Sequence, residues 1–441
     1  MSVWKVAHAL LVCALAGWLC FIVSWRYAIF RNGVDLGIFT QVIGSIGHGF
    51  SSTAEGGVSH LLVHWSPIVV LAWPFLRVFG PVGLEYAQAI LVALTLVPLW
   101  GLARARFAPP IGFALVAICA LYPLLWSNAV GDFHETAFVP LLAATLVYGM
   151  DRRRRWLGIA AALLLACTRE DQFVALAWIG IVWMLLHRSD RESRRLGVVL
   201  LAIAASGAVL WWGVVRPTIN PHVPYGSLNF FDWRGTHASL AALLAPRLRY
   251  VLIVLAPVAF LPLLSRYGLF LLPGFAEILA SHQPVTLAPG EHYAALLTPY
   301  ALAGFIDGTS RLAALRRKPA AALVALAAVV SIWVQIWASP MEYWYYLYRR
   351  PNAHDTLLQR TLNRLPHHAD VGAEDEIFAH LGLDPRASID MYHQRWFIYD
   401  NTHYSVRWKE IDEPAVRRLV ANGTYRVVSH DDGIVVIHRE R

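Results

Sequence analysis

Apolar runs approaching the ~20 residues that cross a bilayer as a helix recur through the first three quarters of this chain. In hydrocarbon every backbone N–H and C=O needs an internal partner, so such runs fold as packed helices. The runs predict spans near 6–24, 84–103, 111–128, 135–150, 156–168, 172–187, 196–215, 249–264, 268–280, 292–309 and 319–338. The runs at 156–168 and 268–280 are short for a crossing, which predicts broken or tilted helices. Hydrophobic residues make up 57% of the chain and charged ones 15%, well under the usual quarter of a soluble domain.

Arginine and lysine orient the bundle. Arg104 and Arg106, Arg152 to Arg155, Arg188, Arg191, Arg194 and Arg195, Arg266, and Arg311, Arg316, Arg317 and Lys318 all fall on the side of Lys5. By the positive-inside bias that side is cytoplasmic. The same loops account for the net charge of +8, so it does not point to nucleic acid. Cys13, Cys20, Cys119 and Cys167 lie in apolar runs without a CxxC pair, and read as small buried hydrophobes. The first run lacks a small-residue cleavage site and reads as a retained span.

The opposite side then carries a long loop, 25–83, short turns at 132–135 and 169–171, loops at 216–249 and 281–291, and everything after 339. The expected fold is an all-α polytopic membrane bundle of about eleven helices over residues 1–338, with a small soluble extracytoplasmic α/β domain over 339–441. In that domain, strands are expected at 369–373, 387–392, 425–429 and 434–438. A helix is expected at 374–381, and another from Asp412 to Gly423. Asp432-Gly433 reads as the turn of a hairpin. The protein is expected in the inner (cytoplasmic) membrane, multi-pass, with its C-terminus extracytoplasmic.

Six polar motifs end apolar runs on that outer side: Val34-Asp35-Leu36-Gly37, His64-Trp65-Ser66-Pro67, Asp132-Phe133-His134-Glu135, Arg169-Glu170-Asp171, Ser281-His282 and Glu291-His292-Tyr293. Ionisable groups at membrane depth are costly and mark sites. Each also has a plainer reading. Asp35 would simply N-cap a surface helix whose apolar face is Leu36, Phe39, Ile43 and Ile46; functionally it is a general base near lipid head groups. His64 would be a hydrogen-bonded structural histidine. Asp132, His134 and Glu135 would be a solvated turn with Asp132 as a cap, or else acid/base or metal-binding groups, although no named metal spacing occurs. Arg169, Glu170 and Asp171 would be a self-neutralised turn; a plain turn needs no charge, and Arg169 suits phosphate. His292 begins a span where backbone N–H groups can also receive an anion.

Together, Asp35-Leu36-Gly37-Ile38-Phe39 with Gln41, His64-x-Ser66-Pro67, Asp132-Phe133-His134, Arg169-Glu170-Asp171 and His292-Tyr293 resemble a prokaryotic membrane protein family, domain of unknown function 2079. The resemblance runs from about residue 30 to the terminal Asp-Gly-Ile-Val-Val-Ile hairpin. Arg169 stands where lysine is more usual, and 392–408 is atypical. That family is in turn similar to GT-C glycosyltransferases. These polytopic enzymes carry an acidic residue in the first long external loop and use sugars linked to polyprenyl phosphate, some with a divalent metal. Asp35 matches the place of that acid, while the usual paired acid motif is absent.

The resemblance implies transfer of a sugar from a polyprenyl-phosphate-linked donor to an extracytoplasmic hydroxyl. Asp35, Asp132 and Glu135 are the candidate catalytic residues. His64, His134, Arg169, Glu170, Asp171, His282, His292 and Tyr293 are candidates for substrate binding. No metal ligand set is assigned, though magnesium or manganese remains compatible with the carboxylates. The expected partners are the lipid donor, membrane lipids and an acceptor the sequence does not identify. The rival readings are an ion-coupled transporter or permease, disfavoured by the one-sided loops and lack of a repeat, and a non-catalytic envelope scaffold.

Overall fold

The computed structural model describes residues 3–234, 239–337, 349–366, 370–402 and 412–439. Among the described residues, five helices are long and apolar enough to cross a membrane: Val3–Ala28, Val82–Arg104, Arg191–Ile219, Leu240–Val258 and Arg317–Trp337. Pro109–Ala120 and Pro123–Val130 make a sixth if their 52° bend is counted within one span. The bend falls at Pro123, which cannot continue the hydrogen-bond ladder of the first segment.

The other expected spans are shorter or broken, so the expected eleven do not appear as eleven uniform helices. Apolar helices of intermediate length occupy Arg155–Leu165 and Asp171–Leu186. Residues 135–150 split into a 3-10 turn, Glu135–Phe138, and a helix, Val139–Asp151. Residues 292–309 split likewise into His292–Leu296 and Thr298–Leu315. Both breaks sit beside prolines, Pro140 and Pro299. The loop expected at 216–249 is also shorter, because one helix persists to Ile219 through a wide turn at Val209–Val215 and the next starts at Leu240.

The last hundred residues build a four-stranded sheet of order β1-β2-β4-β3, with β1 Val371–Ala373, β2 Trp396–Asp400, β3 Tyr425–Asp431 and β4 Ile434–Arg439. β1 and β2 are parallel; β4 runs antiparallel to both its neighbours. Asp432 and Gly433 take positive φ of 49° and 86°, as a tight hairpin turn with matching twist requires. The strand expected at 387–392 is reduced to one bridge, Ser388 to Gly372. Asp390 explains this: its carboxylate accepts from the Tyr392 N–H at 2.7 Å and bends the chain, so pairing passes to Trp396–Asp400. Ala369, the expected start of the first strand, lies outside the described residues.

This sheet shares a core with the first loop. Phe30 is buried with Ile377, Phe378 and Ile398, and Val34 and Ile38 pack against them. A Cβ on Gly37 would sit 2.4 Å from the Phe378 ring, so only glycine permits this approach. Gln41 uses its whole amide: Nε2 donates to the carbonyls of Asp384 and Ala387, and Oε1 accepts from Ser52 and Thr53. The face Leu36, Phe39 and Ile43, expected along the lipid, is therefore buried in protein, and Ile46 alone of the four is exposed.

Candidate functional site

The helix Val34–Gly44 begins after Gly33, whose extended backbone is the N-cap, so Asp35 stands in the first turn and is not the cap. Asp132 is no cap either. It pairs with Arg26 at 2.8 Å and accepts from Asn32 at 3.2 Å. A Cβ on Gly33 would lie 2.9 Å from the Asp132 carboxylate, so this glycine lets the acid approach the start of the Asp35 helix.

A cavity of about 630 Å³ opens beside Asp35. Of the sequence-derived candidates, His64, His134, Arg169, Glu170, Asp171, His292 and Tyr293 line it as well. Apolar side chains, among them Phe230, Phe231, Phe270 and Leu296, cover much of the rest. A second cavity of about 330 Å³ holds Asp132 and shares Asp35, Glu291 and His292 with the first. Glu135 faces neither. It is fully buried behind His134, with Nδ1 to Oε2 at 2.7 Å. His282 also lines neither cavity; its Nδ1–H donates to the Phe230 carbonyl at 2.9 Å and its ring lies against Trp233.

Arg169 is the charged centre of the larger cavity. Its Nε lies 3.3 Å from Asp171 and 3.8 Å from Glu135, and its Nη2 3.5 Å from Glu277. None of these is the short bidentate pair that would consume a guanidinium, typically about 2.8 Å. Nη1 is buried with no hydrogen-bond partner. The group is 6% exposed and stands 5.5 Å over the Tyr293 ring. Glu277 was not among the sequence candidates. Its signal was there to read, a lone carboxylate inside the apolar run 268–280.

Glu170 is fully engaged. Tyr225 donates to Oε1 at 2.6 Å, His64 Nδ1 lies 2.8 Å from the same oxygen, and the Trp65 N–H donates to Oε2 at 2.9 Å. Burial pushes this carboxyl upward, but His64, Arg169 and Tyr225 outweigh it and hold it at about 2. Burial likewise opposes charge on His64, yet Glu170 raises its pKa above the ordinary value. Asp35 is the opposite case. Among the described residues none donates a hydrogen bond to it. Enclosure first, then Asp132, Glu291, Glu135 and Glu55, push its carboxyl up to about 8.

The His134 and His292 rings stack at 3.6 Å, nearly parallel. With Asp35 they offer three ligand atoms within 4.8 Å of one another, a spacing fit for a metal ion. Two imidazoles and one carboxylate suit zinc-like ions better than magnesium.

The bent helical bundle with a small sheet packed over the first loop is a fold shared with solved structures. The chain belongs to the family described as predicted membrane protein DUF2079, which matches residues 26–436. ArnT from Cupriavidus metallidurans bound to undecaprenyl phosphate has a TM-score of 0.57 at 13% identity, covering 97% of each chain. Apo ArnT from the same organism gives 0.56 at 14%, covering 98% of each. The Archaeoglobus fulgidus oligosaccharyltransferase with zinc and sulfate gives 0.47 at 12%, covering 96% of this chain and 73% of that one. No curated protein sequence matches this chain.

Proposed function

We propose that this protein is a membrane glycosyltransferase that moves a sugar from a polyprenyl-phosphate-linked donor to an acceptor hydroxyl outside the inner membrane. One observation carries the reading: a single cavity, largely apolar, is lined by both Arg169, whose Nη1 has no hydrogen-bond partner, and Asp35, to which no described residue donates a hydrogen bond. ArnT, which shares the fold, binds undecaprenyl phosphate. In this reading the broken helices count as crossings, keeping about eleven. Residues 339–441 form the extracytoplasmic domain.

The chemistry follows from the two groups. The acceptor oxygen attacks the anomeric carbon and the bond from that carbon to the phosphate oxygen breaks. The electron pair leaves with the lipid phosphate, and the acceptor proton passes to Asp35. Arg169 compensates the charge that grows on the departing phosphate. Glu170 fixes His64 and Tyr225 around it, and Glu135 orients His134. A metal held by Asp35, His134 and His292 would supply Lewis acidity beside the same phosphate, in place of the base role of Asp35.

The test is transfer from a labelled polyprenyl-phosphate sugar in proteoliposomes. Arg169→Ala is expected to weaken both lipid binding and turnover, with folding checked by size exclusion. Ion-driven solute uptake by a wild type that binds no lipid phosphate would instead favour the permease.

A further inference from the structure

The two cavities that meet at Asp35 differ in kind. The larger is apolar and holds Arg169. The smaller is polar, and four carboxylates line it: Asp35, Asp132, Glu291 and, from the segment under the sheet, Asp375. Arg26 is the one guanidinium there among the described residues, and it is committed: it pairs with Asp132 and donates to the Val130 carbonyl at 2.8 Å. The carboxylates therefore outnumber the cationic side chains.

A second observation points to a ligand. Asn128 lines the smaller cavity, is 5% exposed, and leaves its Oδ1 without a partner. The orientation of this amide is fixed by its neighbour. The Thr298 hydroxyl donates to the Ala294 carbonyl at 2.9 Å, so toward Asn128 it can only accept, and Nδ2 donates to it at 3.1 Å. The carbonyl end is left as an unused, buried acceptor. Desolvation without a partner is costly, and a bound donor would recover that cost.

We infer that the smaller cavity is the acceptor chamber, and that it takes a polyhydroxyl compound bearing an ammonium group, of amino-sugar size. This rests on the reading of the larger cavity as the donor site. The volume, about 330 Å³, is at the low end for ligand pockets and suits one small ring. The ammonium meets Glu291, a hydroxyl donates to Asn128, and another hydroxyl lies toward Asp35 on the shared wall. Like charge excludes acidic sugars.

Three probes of one size decide it: glucosamine, glucose and glucuronate, measured by equilibrium binding to the full chain in lipid nanodiscs. Glucosamine is expected to bind about tenfold tighter than glucose, the gain of a charge-assisted hydrogen bond, and glucuronate weakest. Glu291→Gln is expected to shrink the preference for the amine. Equal affinities, a preference for glucuronate, or no binding of any probe by the folded wild type would overturn the proposal without recourse to a variant. Labelled undecaprenyl phosphate, bound in parallel, keeps the two readings apart. Lipid binding without an amine preference sinks the acceptor chamber alone. An amine preference without lipid binding sinks the donor reading and leaves the chamber standing as a site for cations.

Discussion

Glu170 and Asp35 line one cavity and are handled in opposite ways. Three donors hold Glu170, from His64, Tyr225 and the Trp65 backbone, and keep it ionised. No described donor holds Asp35, and other acids face it. Under the proposed function, the difference assigns Glu170 to the scaffold and Asp35 to the reaction. A carboxylate with both oxygens engaged by donors is a poor base, whereas one raised toward neutral pH has the affinity to take a proton. Sequence assigned both to the same site by the same argument from burial cost; environment alone separates them.

The strongest way to break the contrast is Asp35→Asn. Transfer is expected to fall by at least ~100-fold while thermal unfolding stays put, since no hydrogen bond to Asp35 is lost. Near-normal transfer would leave both carboxylates as scaffold. Glu170→Ala should do the reverse in kind. It leaves His64, Tyr225 and the Trp65 N–H without their acceptor and is expected to cost about 3 kcal/mol of stability, visible as an earlier transition in a thermal scan.

The pH profile sharpens the contrast further. Asp35 must be ionised to act as base, and its raised pKa of about 8 means that transfer should climb with pH, by roughly tenfold between pH 7 and 9. Asp132→Asn removes one of the acids that raise it and should move the midpoint to lower pH. A flat profile over that range would mean that Asp35 is ionised throughout and is held like Glu170.

The smallest effect lies in the C-terminal sheet. Burial disfavours charge on His354, but contacts to Asp400 at 2.5 Å and Asp432 at 2.9 Å overcome it and raise its pKa. A histidine raised on folding stabilises fully below its unfolded pKa of about 6.5, and the gain is lost as pH rises through the folded value. Amide exchange in β2 and β4 should therefore quicken modestly across that window, and His354→Gln should remove the dependence.

Much of this was legible. The polar motifs ending apolar runs located every charged or histidine side chain of the larger cavity's wall except Glu277, because charge at membrane depth is rarely idle. The Asp432-Gly433 hairpin followed from turn chemistry. What was not legible depends on contacts remote in sequence. Asp132 read as a possible catalyst until Arg26 appeared beside it, and no local pattern announces an ion pair across a hundred residues. The helix of Asp35 read as lipid-facing because its apolar stripe fits a bilayer and a protein core equally well. His282 shared the profile of His292, yet the chain turns it toward Phe230. Glu277 was overlooked because a single acid barely perturbs an apolar run.

The packing of Phe378 on Gly37, with Gln41 bonded to the carbonyls of Asp384 and Ala387, has a consequence in time. The helix that carries Asp35 is made early and its seat is made last. During synthesis at about 5–20 residues per second, tens of seconds separate the two. Through that interval the nascent chain can insert its helices while Gly37 and Gln41 wait without their partners. The seat of Asp35 is therefore completed only once Phe378 has been synthesised, and a chain truncated before Phe378 should reach the membrane with that seat unbuilt.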